Sequence, residues 1–547
     1  MQKLENFLNR FWILTIFVLS IPATWALFVP GYYGASDDIH IAWLYEFHKT
    51  LMVGQIPPRF VPDLSFGFGY PLFNFVFPLP FYSGEIFHLL GLSFVDSIKA
   101  VFFISIPLSG IFMYLLLRQF AGTALSLIGA VLYIYTPYRA VDLYIRGAIG
   151  EIVSFIFLPL IVLSLVKLSY DQNFKWIGIG ALSLASLVLS HNITAYMFFP
   201  FVGIFFILQF FSRSARRVYL TKTFLMIFLG LLVSIYFWLP ALIESNLMKY
   251  DTVFNFADHF PTFLQLITPY WGYGASVPGP GDGMPFFLGI ANVLILMSAA
   301  FLFLFKWKEI SNQRKILIGW ALSAIVTVIF LMNHRSVPLW INLPLLPYFQ
   351  FPWRFLILTT FFIPLLLIAF ENLRLGKYLL MASIIIIILP GIIYFKPQDF
   401  LGRKDDYFLN RYIPYPVASE EYKKTQEEYL RLPKATEKRP DRNFPLLFPN
   451  GGINRIDKLS DLRVAFEYNS DKESLINLNK YYFPGWQATI DGKLAEVSAG
   501  RPYGQVSIFI PAGFHRVEIY FQETSFRNLL NFASLGAFLV SLMIVWI

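Results

Sequence analysis

Runs of about twenty apolar residues recur along the whole chain, and they constrain its fold more than any other feature. Wound as a helix, such a run crosses a hydrocarbon core of roughly 30 Å and satisfies its backbone polar groups internally. Hydrophobic residues make up 56% of the chain and charged residues 14%, well under the share of about 25% in soluble domains. The reading is a mainly α, polytopic membrane bundle of about twelve spans. They fall near 11–30, 97–117, 122–138, 148–167, 175–190, 193–211, 222–243, 286–305, 315–332, 352–371, 378–395 and 527–547. The first run, Phe11 to Pro30, exceeds a signal-peptide core of about 7–15 residues and is read as a retained span.

The formal net charge of +9 does not point to nucleic acid, because the basic residues sit in short loops between spans. Arg213, Arg216, Arg217 and Lys222 lie in one such loop, Lys306, Lys308, Arg314 and Lys315 in another, Arg374 and Lys377 in a third. The positive-inside rule puts all three in the cytoplasm. Both termini are then cytoplasmic, and loops 31–96, 244–285, 333–351 and 396–526 face outward from the plasma membrane. The run 72–91 is apolar but interrupted by Pro78, Pro80, Ser83, Glu85 and His88. It is read as a helix in, or dipping into, the outer interface. There is no Cys, which excludes disulfides, thiolate metal sites and Cys nucleophiles.

Three regions follow: a membrane domain over 1–395 that includes loop 31–96, an extracytoplasmic domain over 396–526, and a last helix over 527–547. The outer domain is charged and Pro-rich to about residue 460, then alternates in strand fashion. Asp491-Gly492, between Trp486–Ile490 and Lys493–Val497, is a hairpin signal. A small antiparallel β-sandwich is expected at about 462–524. Trp486 and Tyr503 are conceivable glycan platforms there, against the plainer reading of core residues.

Loop 31–96 carries more chemistry than an anchor needs. It opens with Ser36-Asp37-Asp38-Ile39-His40 and continues through Gln55-Ile56-Pro57-Pro58-Arg59 and Phe66-Gly67-Phe68-Gly69-Tyr70-Pro71-Leu72-Phe73-Asn74. With Tyr138-Arg139, Arg146-Gly147-Ala148-Ile149-Gly150-Glu151, Ser190-His191-Asn192, Gln350-Phe351-Pro352-Trp353-Arg354-Phe355 and Tyr482-Phe483-Pro484-Gly485-Trp486, these segments resemble the bacterial and archaeal membrane proteins of the 6-pyruvoyl-tetrahydropterin synthase-related domain family. Those proteins are similar to the C-type (GT-C) glycosyltransferases. The resemblance implies a GT-C-like enzyme taking a sugar from a polyprenyl-phosphate donor, with an Asp or Glu in the first outward loop. Asp37 and Asp38 stand at that place. Pterin chemistry is rejected, since the chain has no Cys and its 7 His are scattered.

Such a reaction needs a carboxylate to deprotonate the acceptor hydroxyl and cations to hold the departing phosphate, a task suited to the planar fork of Arg. Asp38 is the preferred base, with Asp37 beside it. If a helix starts at Asp37, Asp38 points away from the apolar stripe, on the side of Tyr45 and Lys49, and His40 falls opposite. Asp37, Asp38 and His40 could then share a divalent cation (Mg or Mn) only if a turn precedes the helix. The plainer reading makes Ser36 an N-cap with two acids in the first helical turn. Arg59, Arg139, Arg146 and Arg354 are the phosphate candidates, with snorkelling to headgroups as the alternative. Arg146 and Glu151 could instead pair with each other. His191 and Asn192 break an apolar hairpin, as a site or as a simple turn.

The leading functional expectation is an inverting hexosyltransferase acting on an outward-facing glycan, lipid or protein acceptor. A non-catalytic scaffold for envelope glycans is the alternative. A lipid-linked sugar transporter ranks last, because no paired half-sequences with broken helices are found.

Overall fold

The computed structural model describes residues 2–170, 173–212, 215–249, 255–373, 377–426, 431–449 and 451–546. Arg213 and Arg374 lie outside them. Among the described residues, seven helices are long and apolar enough to cross a membrane: Phe7–Phe28, Phe94–Leu117, Ile149–Tyr170, Asn192–Ser212, Asn312–Leu331, Pro352–Phe370 and Ser525–Trp546. Two bent pairs raise the number to nine, Thr123–Tyr135 with Pro137–Arg146 (45°) and Arg216–Val233 with Ile235–Leu247 (66°). Two shorter apolar helices, Lys175–Ser190 and Ile290–Phe305, and the helix Lys377–Tyr394 complete the series. Every expected apolar run thus overlies a helix. The chain is a multi-pass membrane protein built as a mainly α bundle with a small β-sandwich.

The bends have local causes. Thr136 is extended (φ −60°, ψ 132°) just before Pro137, as the residue before proline prefers. At the second bend the Ser234 hydroxyl donates back to the Gly230 carbonyl at 3.0 Å, a bond that competes with the helical ladder.

The run 72–91 does not span. It is a single turn at Leu72–Asn74 and an eleven-residue helix, Leu79–Leu89, about 16 Å long. Ile86, Leu89 and Leu90 on its far end are exposed.

The sandwich comprises β1 (Leu447–Phe448), β2 (Ile453–Ser460), β3 (Arg463–Ser470), β4 (Ser474–Tyr481), β5 (Trp486–Ile490), β6 (Lys493–Ala495), β7 (Val497–Ala499), β8 (Gln505–Ile510) and β9 (Gly513–Phe521). One sheet has the order β1-β4-β8-β7, the other β2-β3-β9-β5-β6, and all pairs are antiparallel. It therefore begins before the expected residue 462. The reason is β2, an edge strand bearing Arg455, Asp457 and Lys458. Charges of this kind protect an edge and make it read as loop. Asp491 (φ 51°) and Gly492 (φ 78°) turn the β5–β6 hairpin, a left-handed pair as a type I′ turn requires. The turn at Ala512-Gly513 carries the chain from one sheet to the other.

Loop 31–96 forms the floor of this domain. Tyr481 N–H donates to the Phe68 carbonyl at 2.8 Å, and Lys480 Nζ to the Pro62 carbonyl at 2.8 Å. Phe60 packs edge-on against Trp486 with ring centroids 5.6 Å apart. Trp486 is buried, and Tyr503 packs against Phe68 and Phe444. Both serve the core and not a glycan platform.

Candidate functional site

Four helix junctions at one end of the bundle meet around a buried carboxylate. Glu151 stands in the first turn of Ile149–Tyr170 and is 1% exposed. It accepts a bidentate pair from Arg146, Nη1 to Oε2 at 2.7 Å and Nη2 to Oε1 at 2.8 Å. Arg354 brings Nε to 3.1 Å from Oε1, and the Tyr138 hydroxyl donates to Oε2 at 3.0 Å. Arg146 Nη1 also reaches Asp142 Oδ1 at 2.7 Å, and its guanidinium lies over Trp353, 5.0 Å from the ring centroid.

Local backbone chemistry puts these groups there. The span ending at Arg146 opens into a π-helix over Val141–Arg146 and closes on Gly147 at φ 70°. Its freed carbonyls take the first loop: Ser36 N–H donates to the Ile145 carbonyl at 3.0 Å, Asp37 N–H to that of Arg146 at 2.6 Å. A side chain at Gly147 would meet Ala35 and the Tyr32 hydroxyl, so glycine permits both the turn and this approach.

The helix after loop residue Ile39 runs from His40 to Met52 and has no side-chain cap. The expected start at Asp37, with Ser36 as N-cap, is therefore corrected: the Ser36–Ile39 turn is held by the π-helix carbonyls. The two aspartates consequently separate. Asp37 is 40% exposed at its side chain, with Oδ2 3.9 Å from Arg146 Nη2. Asp38 is buried. It accepts from the Tyr412 hydroxyl and lies 3.8 Å from Arg403 Nη1, which ties loop 31–96 to the start of the outer domain. Tyr45 packs against Phe94, with ring centroids 5.7 Å apart.

His40 Nδ1–H donates to the Gly147 carbonyl at 3.2 Å. Burial lowers its pKa, while Asp37 acts to raise it. His191 joins the wall through Phe77, whose ring lies 5.3 Å away. Its Nδ1 lies 2.7 Å from Thr194 Oγ1 and accepts from the Thr194 N–H at 3.3 Å. Burial lowers its pKa to about 3, so the imidazole is neutral. Asn192 is exposed and accepts from the Ile193 N–H at 3.1 Å.

Arg59 and Arg139 do not join the cluster. Arg59, 1% exposed, donates to Tyr236 O at 2.7 Å and Asn531 Oδ1 at 3.1 Å and pairs with Glu523 at 3.3 Å. With Arg527, paired to Glu244 at 2.9 Å, it clamps the last span. Arg139 is buried between Tyr133 and Phe155, and its guanidinium makes no hydrogen bond among the described residues.

The residues do not fit a protein-held cation. Among the described residues no three His, Cys, Asp or Glu side chains are grouped to hold one. Asp38 and His40 are already engaged, and Asp37 faces a guanidinium. The proposed set of Asp37, Asp38 and His40 is thus not assembled. Sequence reading named Tyr138 only within the Tyr138-Arg139 segment and missed Asp142, although both sit at steps of four from Arg146 on one helical face. It also missed Arg403 and Tyr412, and named Gln350 and Trp353 only within the segment around Arg354.

No family model matches the chain. An uncharacterized protein of Lactococcus lactis subsp. cremoris is 26% identical over 210 residues, 37% of this chain and 34% of that protein. The chain thus spans about a third of this relative's length. Among solved structures it is similar to the arabinofuranosyltransferase AftD from Mycobacteria, with a TM-score of 0.43, 14% identity, and coverage of 71% of this chain and 26% of that one. It is also similar to an Archaeoglobus fulgidus oligosaccharyltransferase in the apo form, with a TM-score of 0.42, 13% identity, and coverage of 70% and 55%.

Proposed function

We propose that the chain is a membrane glycosyltransferase of GT-C type. It moves a sugar from a polyprenyl-phosphate donor to an outward-facing glycan, lipid or protein acceptor, with inversion. One observation carries the reading: a half-exposed carboxylate, Asp37, stands 3.9 Å from a guanidinium that belongs to a buried two-arginine cluster at one end of the bundle. A base beside cations is what this reaction needs. The acceptor hydroxyl gives its proton to Asp37 as its oxygen bonds to the anomeric carbon. The bond from that carbon to the phosphate oxygen breaks, and the electron pair leaves with the phosphate. Arg354 and Arg146 stabilise the charge that develops there.

In this proposal Asp37, and not Asp38, is the base, because Asp38 is buried against Tyr412 and Arg403. Arg59 and Arg139 are structural. The site faces outward, since the basic loops with Arg216, Arg217, Lys306, Lys308 and Lys315 are assigned to the cytoplasmic side by their charge. The membrane part, 1–395, carries the reaction, and the outer domain covers it.

The test supplies polyprenyl-phosphate sugars and candidate acceptors to the purified full chain and follows glycosyl transfer. Transfer that disappears in Asp37→Asn supports the proposal. Donor binding without transfer to any acceptor favours the scaffold reading, and transfer undiminished in Asp37→Asn overturns the assignment of the base.

A further inference from the structure

Arg354 enters the cluster from a strained turn. Gln350 has φ 69° and ψ −54°, and the Phe351 N–H donates across it to the Phe349 carbonyl at 2.8 Å. This is the geometry of the γ-turn that side-chain-bearing residues rarely adopt, and strain of this kind collects at functional sites. A glycine would relieve it, yet the position holds glutamine.

The side chain explains the choice. Gln350 Oε1 accepts from Arg354 Nη1 at 2.8 Å. The Phe349 carbonyl, turned inward by the same γ-turn, accepts from the same Nη1 at 3.0 Å. Nε faces Glu151 at 3.1 Å. The guanidinium also lies over Phe351, 5.4 Å from the ring centroid. Nη1 is therefore fixed by two hydrogen bonds, while the buried Nε meets Glu151 as an ion pair without a hydrogen bond among the described residues. Nη2 makes no hydrogen bond among the described residues, although Arg354 is only 7% exposed.

We infer that Gln350 is a positioning residue. It holds Arg354 through Nη1 so that Nη2 is presented to a phosphate group. The ligand class is a phosphate ester, whose oxygens a guanidinium fork matches. This inference rests on the proposed reading of Arg354 as a phosphate-holding group.

The experiment measures binding of undecaprenyl monophosphate to the full chain in nanodiscs. The variants are Gln350→Met, Arg354→Gln and the double variant. Methionine keeps the length and the backbone strain of glutamine but offers no oxygen acceptor. Gln350→Gly, which relaxes the turn, is the second variant should the first fold poorly. Each single variant should weaken binding about tenfold, and the double variant no more than Arg354→Gln alone, since residues acting through one another are not additive. Wild-type affinity in both Gln350 variants, or a loss that adds to that of Arg354→Gln, overturns the role of Gln350 and leaves the reading of Arg354 standing. No binding by the wild-type chain, or full binding by Arg354→Gln, overturns the reading of the site and the inference with it.

Discussion

Replacing Glu151 by Gln should cost more stability than any other isosteric change near the cluster. The shapes match, so packing is unaltered and the effect isolates charge. Glu151 is 1% exposed and takes two hydrogen bonds from Arg146, one from Tyr138 and the approach of Arg354 Nε. The amide loses its charge toward both guanidinium groups and must turn an N–H toward groups that already donate. Hydrogen bonds to charged groups contribute about 1.5–3 kcal/mol each. Breaking a buried pair from one side costs about 3–5 kcal/mol, because the other charge is left uncompensated. We expect the loss to fall in that range, visible as an apparent Tm lowered by about 3–4 °C in nanodiscs. Adding Arg354→Met should restore part of it by removing one stranded charge. Glu420→Gln, at an exposed pair with Lys423, is the control and should leave Tm unchanged. An E151Q chain melting within about one degree of wild type would refute the reasoning.

Four other outcomes are expected. Asp37→Asn should lower glycosyl transfer by about 10²–10⁴-fold, as loss of a general base does, without moving Tm. Asp38→Asn should lower Tm through Tyr412 and Arg403, so a matched pair of activity and melting assays separates the two. Burial lowers the Lys480 ammonium to about 8, below an unfolded value of about 10.4. Between those values the unfolded chain binds more protons, so stability should rise with pH across that window by about 3 kcal/mol. Denaturation followed from pH 8 to pH 10.5 should show that slope in the wild type and lack it in Lys480→Met, and equal slopes would contradict it. Arg59→Met should destabilise the chain by about 3 kcal/mol yet leave binding of polyprenyl phosphate intact, and a selective loss of binding would reinstate Arg59 in the site.

The bundle was legible because a bilayer demands long apolar helices whatever their partners, and each run from 11–30 to 527–547 announces itself by composition. The site was legible in part. Arg146, Glu151 and Arg354 stand out as charges at the ends of apolar runs, and the structure gathers them. The choice between neighbouring aspartates was not legible. N-cap logic favours a helix at Asp37, but the Ser36 and Asp37 N–H groups are drawn to carbonyls of residues 145 and 146, a tertiary pull that propensity does not register. Arg59 follows Pro58 and Arg354 stands two residues after Pro352, both in aromatic surroundings. What separates them is Glu523, which meets Arg59 from 464 positions away. β2 was missed because its charges serve the solvent face of an edge.

Because Tyr481 pairs with Phe68 and Lys480 with Pro62, the sandwich is not a detachable module. A foreign β-domain grafted at the same two boundaries would arrive without the matching underside of loop 31–96. Exchange between such proteins should then conserve loop and domain together as one inheritable unit, and chimeras that split them should fail to mature.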